Sequence, residues 1–102
     1  MLYLSGGMTG LPDMNKPAFY KAAKWLREQG YRVVNPPELD KDEPQRSWET
    51  CLRRDITHLM KCTKIATLPR WKKSKGASLE VFIGKALKYP VHPFKWYTKE
   101  KR

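Results

Sequence analysis

Three short apolar runs, each ended by residues typical of turns, constrain the fold of this chain more than any other feature. They are MLYLS at residues 1–5, YRVVNP at residues 31–36 and KIATLP at residues 64–69. Runs of this kind, bounded by Gly, Asn or Pro, predict buried strands. A fourth run, YPVHPF at residues 89–94, is interrupted by prolines and therefore predicts an edge strand.

Apolar residues between these runs recur at the three- and four-residue spacing of amphipathic helices. The first predicted helix has Asn15 as its cap, Pro17 in its first turn and Gly30 at its end. A second apolar stripe runs from Trp48 to Met60, and a third helix is predicted over residues 74–87. Strands that alternate with helices predict an α/β three-layer sandwich, with helices on both faces of a parallel sheet.

Length and charge limit what such a fold can do. A chain of 102 residues forms one domain with one modest core, so we expect at most one site. We assign residues 1–94 to this domain and residues 95–102 to a basic, mobile C-terminal tail. Lys and Arg number 21 against 10 Asp and Glu, and the resulting charge of +11 predicts an anionic partner. Nucleotides, nucleic acids and membrane surfaces all carry the required charge.

Other features favour a cytoplasmic protein without membrane contact. Cys51 and Cys62 fit no metal-binding spacing. The segment MLYLSGGMTG lacks the basic region and the long apolar region of a signal peptide. No apolar run approaches the roughly 20 residues that cross a bilayer. We therefore expect a reducing, cytoplasmic location.

Two carboxylates occupy the apolar stripes of the predicted helices. Asp55 lies four positions after Cys51 and four before Leu59, and Glu80 lies inside the apolar run at residues 79–83. Each acid can be a partly exposed member of an ion pair, which is a common arrangement, or a buried acid retained for chemistry. Both lie near the predicted carboxyl edge of the sheet, where α/β proteins bind ligands, and this proximity favours chemistry.

The segment that follows the first predicted strand, SGGMTG, has small residues that let a ligand approach the backbone closely. Its Ser5, Gly6 and Gly7 are therefore candidates for substrate binding. The same glycines also suit a tight turn, and their spacing differs from the dinucleotide-binding pattern G-x-G-x-x-G. Both alternatives remain open for this segment.

A candidate anion site lies at the start of the third predicted helix. Ser74, Lys75 and Gly76 offer a hydroxyl group, a cation and backbone N–H groups, and Lys72 and Lys73 precede them. A plain N-cap within a basic loop explains the same residues equally well.

Three aromatic residues, Trp71, Trp96 and Tyr97, lie among Lys and Arg residues, as stacking residues do in proteins that bind single-stranded nucleic acid. The alternative is structural: Trp71 covers the loop of the site, while Trp96 and Tyr97 attach the tail to the domain. No recognised nucleic-acid-binding motif accompanies them. His58 and His92 have no ligand-like partners in the sequence, and we interpret both as structural or exposed.

Four segments that together span nearly the whole chain follow a known family pattern: YLSGGMTG, NPPEL, LRRDITHLMKC and LPRWKKSKGASLE. By these segments the chain resembles the nucleoside 2-deoxyribosyltransferase-like family, in particular its small members encoded mostly by phages and prophages. The resemblance implies a flavodoxin- or Rossmann-like fold, a nucleotide or nucleoside as partner, and a relationship to the deoxynucleoside monophosphate N-glycosidases.

The resemblance also implies roles for individual residues. Glu80 corresponds to the nucleophile, Asp55 to the residue that supports protonation of the leaving base, and Tyr3 to an aromatic residue that steadies the site. Ser74 occupies the position at which the monophosphate hydrolases use a Ser to hold phosphate, and Trp71 belongs to the substrate-binding loop. Cleavage of an N-glycosidic bond resembles glycoside hydrolysis, for which two carboxylates suffice, so we expect no cofactor and no metal. A depressed pKa would favour Glu80 as the nucleophile, and the positive end of the helix and nearby lysines could supply it, whereas Asp55 must stay protonated or act through water.

The chain departs from the family pattern at two positions. Thr63 follows Cys62 where an Asp is common, which weakens base recognition, and Arg70 precedes Trp71 where a Gly is common. Family members often complete their sites with residues from a neighbouring subunit, so the resemblance implies a homo-oligomer.

Taken together, the two candidate carboxylates and the family resemblance predict an N-glycosidase or deoxyribosyltransferase. The alternative is an inactive basic module that binds nucleic acid or a host protein.

Overall fold

In a computed structural model, which describes residues 1–100, four strands form one parallel sheet. They are β1 (Leu2–Ser5), β2 (Val33–Val34), β3 (Lys64–Thr67) and β4 (Val91–Pro93). Their order in the sheet is β2-β1-β3-β4, so β1 is flanked by β2 on one side and β3 on the other. The four predicted strands are confirmed, and β4 lies at an edge as expected.

Five helices accompany the sheet among the described residues. They are α1 (Lys16–Glu28), α2 (Pro36–Asp42), α3 (Trp48–Leu59), α4 (Lys75–Ala86) and α5 (Phe94–Glu100). Sequence reasoning predicted α1, α3 and α4 but missed the two short helices. None of the helices within residues 1–100 is long and apolar enough to cross a membrane.

Side chains along β1 point alternately to the two faces of the sheet, and each face carries its own core cluster. Leu2 and Leu4 belong to the cluster that α1 and α5 cover, whereas Tyr3 belongs to the cluster that α3 and α4 cover. Successive side chains of a strand point to opposite faces, so Ser5 lies on the same face as Tyr3. The predicted three-layer α/β sandwich is confirmed, and its strand order is that of flavodoxin-like folds.

The start of α1 differs from the prediction in one detail. Asn15 has a φ of 60° and makes no side-chain capping bond. Its Nδ2 instead donates a hydrogen bond to the carbonyl oxygen of Gly7 at 3.0 Å, which ties the start of α1 to the loop after β1. Pro17 lies in the first turn as predicted, and Gly30, with a φ of 97°, follows the helix.

Residues 95–100 of the predicted tail belong to α5 in the structure. Tyr97 is only 2% exposed, and its hydroxyl donates to the carbonyl oxygen of Ile65 at 3.1 Å. Trp96 stacks on His92 with ring centroids 3.7 Å apart. These contacts confirm that both aromatic residues attach this segment to the domain. Residues 101 and 102 of the predicted tail lie outside the described residues.

We expect Tyr97→Ala to lower the free energy of unfolding by about 3 kcal/mol, because it leaves a cavity and removes a buried hydrogen bond. Urea denaturation followed by circular dichroism measures the change. Lys95→Ala, an exposed substitution on the same helix, is the control and should stay within about 0.5 kcal/mol of the wild type. Equal effects of the two substitutions would show that α5 is not part of the stable core.

Candidate functional site

The order of the strands places the carboxyl ends of β1 and β3 side by side, with the following connections on opposite sides of the sheet. Such a switch point is where open α/β sheets bind ligands. Gly6 follows β1 and packs against Leu68, which follows β3: a Cβ atom on Gly6 would lie 3.0 Å from the Leu68 Cβ. The close approach of the two loops therefore favours a glycine at residue 6, because any side chain there would have to displace Leu68.

A cavity of about 270 Å³ opens at this switch point. Asp40, Asp55 and Glu80 line it together with Arg54, and we call it the acidic cavity. Gly6, Ser74 and Gly76 also contribute to its lining. The structure therefore brings the two carboxylates singled out in the sequence to one cavity.

Glu80 is a buried carboxylate held by two hydroxyl groups. It lies on the face of α4 that packs against the sheet and is 5% exposed. The Tyr3 hydroxyl donates to its Oε2 at 2.9 Å, and the Ser5 hydroxyl donates to its Oε1 at 2.8 Å. Both donors reach it because they are two residues apart on β1 and so share one face. For Glu80, the alternative of a partly exposed ion-paired acid is wrong.

Burial raises the pKa of Glu80 from 4.5 to about 8, and the nearby charge of Asp55 adds to this increase. The hydrogen bonds from Ser5 and Tyr3 act in the opposite direction because they stabilise the carboxylate. The pKa is therefore shifted in the direction opposite to the one that would favour a nucleophilic Glu80. Glu80 is the sixth residue of α4, beyond the first turn in which the helix dipole acts strongly.

Tyr3 and Ser5 support Glu80 without lining the cavity. Both are completely buried. Burial and the charge of Glu80 raise the pKa of Tyr3 well above its ordinary value. The phenol therefore stays protonated and remains a hydrogen-bond donor to Glu80.

Arg54 connects two of the acids of the acidic cavity. Its Nε and Nη2 donate to Asp55 Oδ1 at 3.0 and 2.9 Å, and Nη2 also donates to Asp40 Oδ1 at 2.8 Å. Its Nη1 donates to the carbonyl oxygen of Glu43. This buried guanidinium thus joins α3 to α2 and its C-terminal end. Burial raises the pKa of Asp55, and Arg54 opposes this increase.

A second cavity of about 550 Å³ adjoins the first. Within residues 1–100, its lining includes Arg70, Lys73 and Lys75 and no Asp or Glu, and we call it the cationic cavity. The two cavities are neighbours because they have several lining residues in common. These shared residues are Met8, Thr9, Trp48, Ser74 and Gly76.

The start of α4 borders both cavities. Ser74 caps the helix, since its Oγ accepts a hydrogen bond from the Ala77 N–H at 3.1 Å. Accepting this bond leaves the hydroxyl hydrogen of Ser74 for another acceptor. Lys75 Nζ lies 4.7 Å from the centre of the Trp48 ring. The capping role of Ser74 is confirmed, and it is compatible with an anion at the same place.

One comparison with known proteins identifies a family. Residues 1–92 match the family described as "Domain of unknown function (DUF4406)". The chain belongs to this family. No curated protein and no solved structure matches the chain significantly. The function of this DUF4406 domain must therefore be argued from the chemistry of its two cavities.

The candidate residues reach these cavities to different degrees. Trp71 lies outside the lining of both cavities and packs against the core cluster under α4, with Lys72 Nζ 5.9 Å from its ring centre. The other substrate-binding candidates line at least one cavity, apart from the buried Ser5. They are Gly6, Gly7, Ser74, Lys75 and Gly76.

Three residues of the site escaped sequence reasoning: Arg54, Asp40 and Trp48. Asp40 belongs to α2, which begins with Pro36 and Pro37, and prolines in a first helical turn were the available signal for that helix. Trp48 was assigned to an apolar stripe, although it opens α3 and lines both cavities. Within residues 1–100, no group of three or more His, Cys, Asp or Glu side chains could hold a metal ion.

Proposed function

We propose that this protein binds a 2-deoxyribonucleoside 5′-monophosphate and cleaves or exchanges its N-glycosidic bond, with Glu80 as the nucleophile. The observation that carries the proposal is the Glu80 carboxylate, buried at the wall of a cavity and oriented by two hydroxyl donors. A buried carboxylate opposite a second acid is the pair that glycoside cleavage requires. The resemblance to nucleoside 2-deoxyribosyltransferase-like proteins supports the same chemistry.

The reaction proceeds in two displacements. A carboxylate oxygen of Glu80 bonds to the anomeric carbon as the bond to the base nitrogen breaks, and the electron pair of that bond leaves with the base. Asp55, directly or through water, supplies the proton that neutralises the leaving base. A water molecule or a second base then attacks the anomeric carbon, the bond to the Glu80 oxygen breaks with its electron pair returning to the carboxylate, and Asp55 takes up the proton that the attacking group loses. Tyr3 and Ser5 act as positioning residues because their hydroxyl groups hold the carboxylate.

The 5′-phosphate belongs at the start of α4. There it can accept hydrogen bonds from the Ser74 hydroxyl and from the first N–H groups of the helix, which have no partners within the helix. Lys73 and Lys75 line the adjoining cavity and add favourable charge. Each is exposed, so each pair with the phosphate contributes only about 0–1 kcal/mol, and Ser74 and the helix must provide most of the selectivity.

We expect Ser74→Asp to weaken binding of a deoxynucleoside monophosphate at least tenfold, about 1.4 kcal/mol, through repulsion of the phosphate. Binding of the matching nucleoside should change little or improve. Asp and Asn are both good N-caps, so Ser74→Asn is a neutral control that preserves the helix start. Calorimetric titration of both ligands measures the effect. Unchanged monophosphate affinity in Ser74→Asp would show that this position does not hold the phosphate.

Product analysis tests the proposed function directly. The protein is incubated with the four deoxynucleosides and with their 5′-monophosphates, each with and without a second free base. Released or exchanged base, detected by chromatography, supports the proposal. If no substrate reacts, the basic binding module becomes the better interpretation, and binding of single-stranded DNA that weakens steeply with salt would support it.

We further propose a cytoplasmic homo-oligomer. Both cysteines are free thiols, as expected in a reducing compartment. Phe82 is 71% exposed on α4, and Leu79 on the same helix and Leu87 just after its end are also exposed. A second copy of this chain could cover these apolar side chains, and the family resemblance favours such an assembly.

We expect Phe82→Asp to convert the oligomer into a monomer, because it places a charge in an apolar interface. Sedimentation velocity at several concentrations measures the change in mass. Tyr20→Asp is the matched control, since Tyr20 is an exposed aromatic residue on α1, across the sheet. A wild-type protein that remains monomeric at all concentrations would contradict the proposed oligomer.

A further inference from the structure

The two adjoining cavities carry opposite charges. Of the described residues, three acids and one Arg line the acidic cavity, whereas three cations and no acid line the cationic cavity. The residues that belong to the cationic cavity alone are Gly7, Leu11, Arg70, Lys73 and Lys75. A ligand that spans both cavities therefore needs a neutral or cationic part at one end and a strongly anionic part at the other.

We propose that the cationic cavity binds the β- and γ-phosphates of a nucleoside 5′-di- or triphosphate. The inference rests on the proposed function, which places the sugar and base in the acidic cavity and the first phosphate at Ser74. Ser74 lines both cavities, so phosphates attached to the first one extend directly into the cationic cavity. The volume of about 550 Å³ leaves ample room for two further phosphates.

The lining favours phosphates over a second nucleoside as the occupant. A second base would require stacking surfaces, but Trp48 lies at the boundary that the two cavities share, and Lys75 already occupies one of its faces at 4.7 Å. Leu11 is the one apolar side chain found only in the cationic cavity. Among the residues that line this cavity alone, three cations against one apolar side chain match a chain of phosphates, each of which adds negative charge.

The backbone conformation of Arg70 allows a substitution that removes the positive charge without destabilising the fold. Arg70 has a φ of 67°, in the left-handed region that favours Gly. Arg70→Gly therefore removes a cation from the cavity and relieves backbone strain at once. Lys88 has a φ of 65° and lines neither cavity, so Lys88→Gly makes the same change in charge and conformation at a remote position.

The experiment uses calorimetric titration of the wild type, Arg70→Gly and Lys88→Gly. The probes are inorganic tripolyphosphate, orthophosphate, and matched deoxynucleoside mono-, di- and triphosphates in the presence of a chelator. In the wild type and in Lys88→Gly, we expect affinity to rise about fivefold with each added phosphate. In Arg70→Gly, we expect the triphosphate to lose about fivefold in affinity, and the monophosphate to change by no more than about twofold.

Equal affinities for mono-, di- and triphosphates in the wild type would overturn the inference, and so would equal losses in Arg70→Gly and Lys88→Gly. A 5′-phosphorylated dinucleotide that binds more tightly than the triphosphate would overturn it in favour of a second nucleotide. The tripolyphosphate titration distinguishes failure of the inference about the cationic cavity from failure of the proposed function. It measures the cationic cavity without a base, whereas base release measures the acidic cavity. Tripolyphosphate binding that Arg70→Gly weakens supports the inference even if no base is released.

Discussion

Glu80→Gln is expected to abolish base release, with a loss of about three orders of magnitude or more, because an amide cannot form the covalent bond to the anomeric carbon. Gln preserves the size of the side chain and can still accept a hydrogen bond from the Tyr3 or Ser5 hydroxyl. The measurement is the rate of base release from the best substrate of the panel. Glu49→Gln is the control, since Glu49 is an exposed acid outside both cavities, and its rate should equal that of the wild type.

The free energy of unfolding of the Glu80→Gln protein, compared with that of the wild type at several pH values, tests whether the variant folds correctly. The pKa of Glu80 is about 8 in the folded protein and 4.5 without the fold, so folding favours the protonated form. The resulting stabilisation is fully present below about pH 4.5 and is lost as the pH rises through about 8. Gln cannot ionise, so the variant should gain stability relative to the wild type between pH 5 and about 9. Wild-type rates in a variant that shows this gain would end the assignment of Glu80 as nucleophile.

The second prediction concerns the pH dependence of base release. A nucleophilic Glu80 must be ionised, so kcat/KM should rise about tenfold per pH unit below the pKa of about 8 and level off above it. Ser5→Ala removes a donor that lowers this pKa, so the rising limb should move to higher pH. A purely structural role of Ser5 would change stability without moving the limb.

A kcat/KM that falls with rising pH, instead of increasing, would reverse the roles of Glu80 and Asp55. If kcat/KM instead falls as the pH passes about 8, protonated Glu80 acts as the general acid. Asp55 would then be the nucleophile, because the hydrogen bonds from Arg54 favour its ionised form. The pH profile of the wild type therefore decides which carboxylate bonds to the sugar.

The inward orientation of Glu80 could be predicted because the acid interrupts an apolar stripe whose helical spacing is clear. Its partners could not be derived from such spacing. Tyr3 and Ser5 precede Glu80 by 77 and 75 residues, and their contact depends on how α4 is placed over β1. Local periodicity predicts which way a side chain points, but it carries no information on what lies opposite.

Arg54 and α5 show two further limits. Arg is rarely buried, and the burial of Arg54 depends on α2, a seven-residue helix whose two prolines resemble a loop. Among the described side chains of α5, Tyr97 is the buried one and Phe94 packs against the same cluster, and two such residues in a seven-residue helix are too few for a clear periodic pattern. Both features arise from tertiary packing, which sequence propensities do not contain.

The two hydroxyl groups that hold Glu80 come from the central strand β1, whereas Glu80 itself comes from a helix late in the chain. Contacts this distant in sequence form slowly, because closing a long loop costs entropy before any interaction repays it. The oriented carboxylate therefore cannot exist in a fragment or in a partly folded chain that lacks either element. During refolding, the shifted titration of Glu80 should appear together with the last cooperative step, so this one proton reports on completion of the native fold.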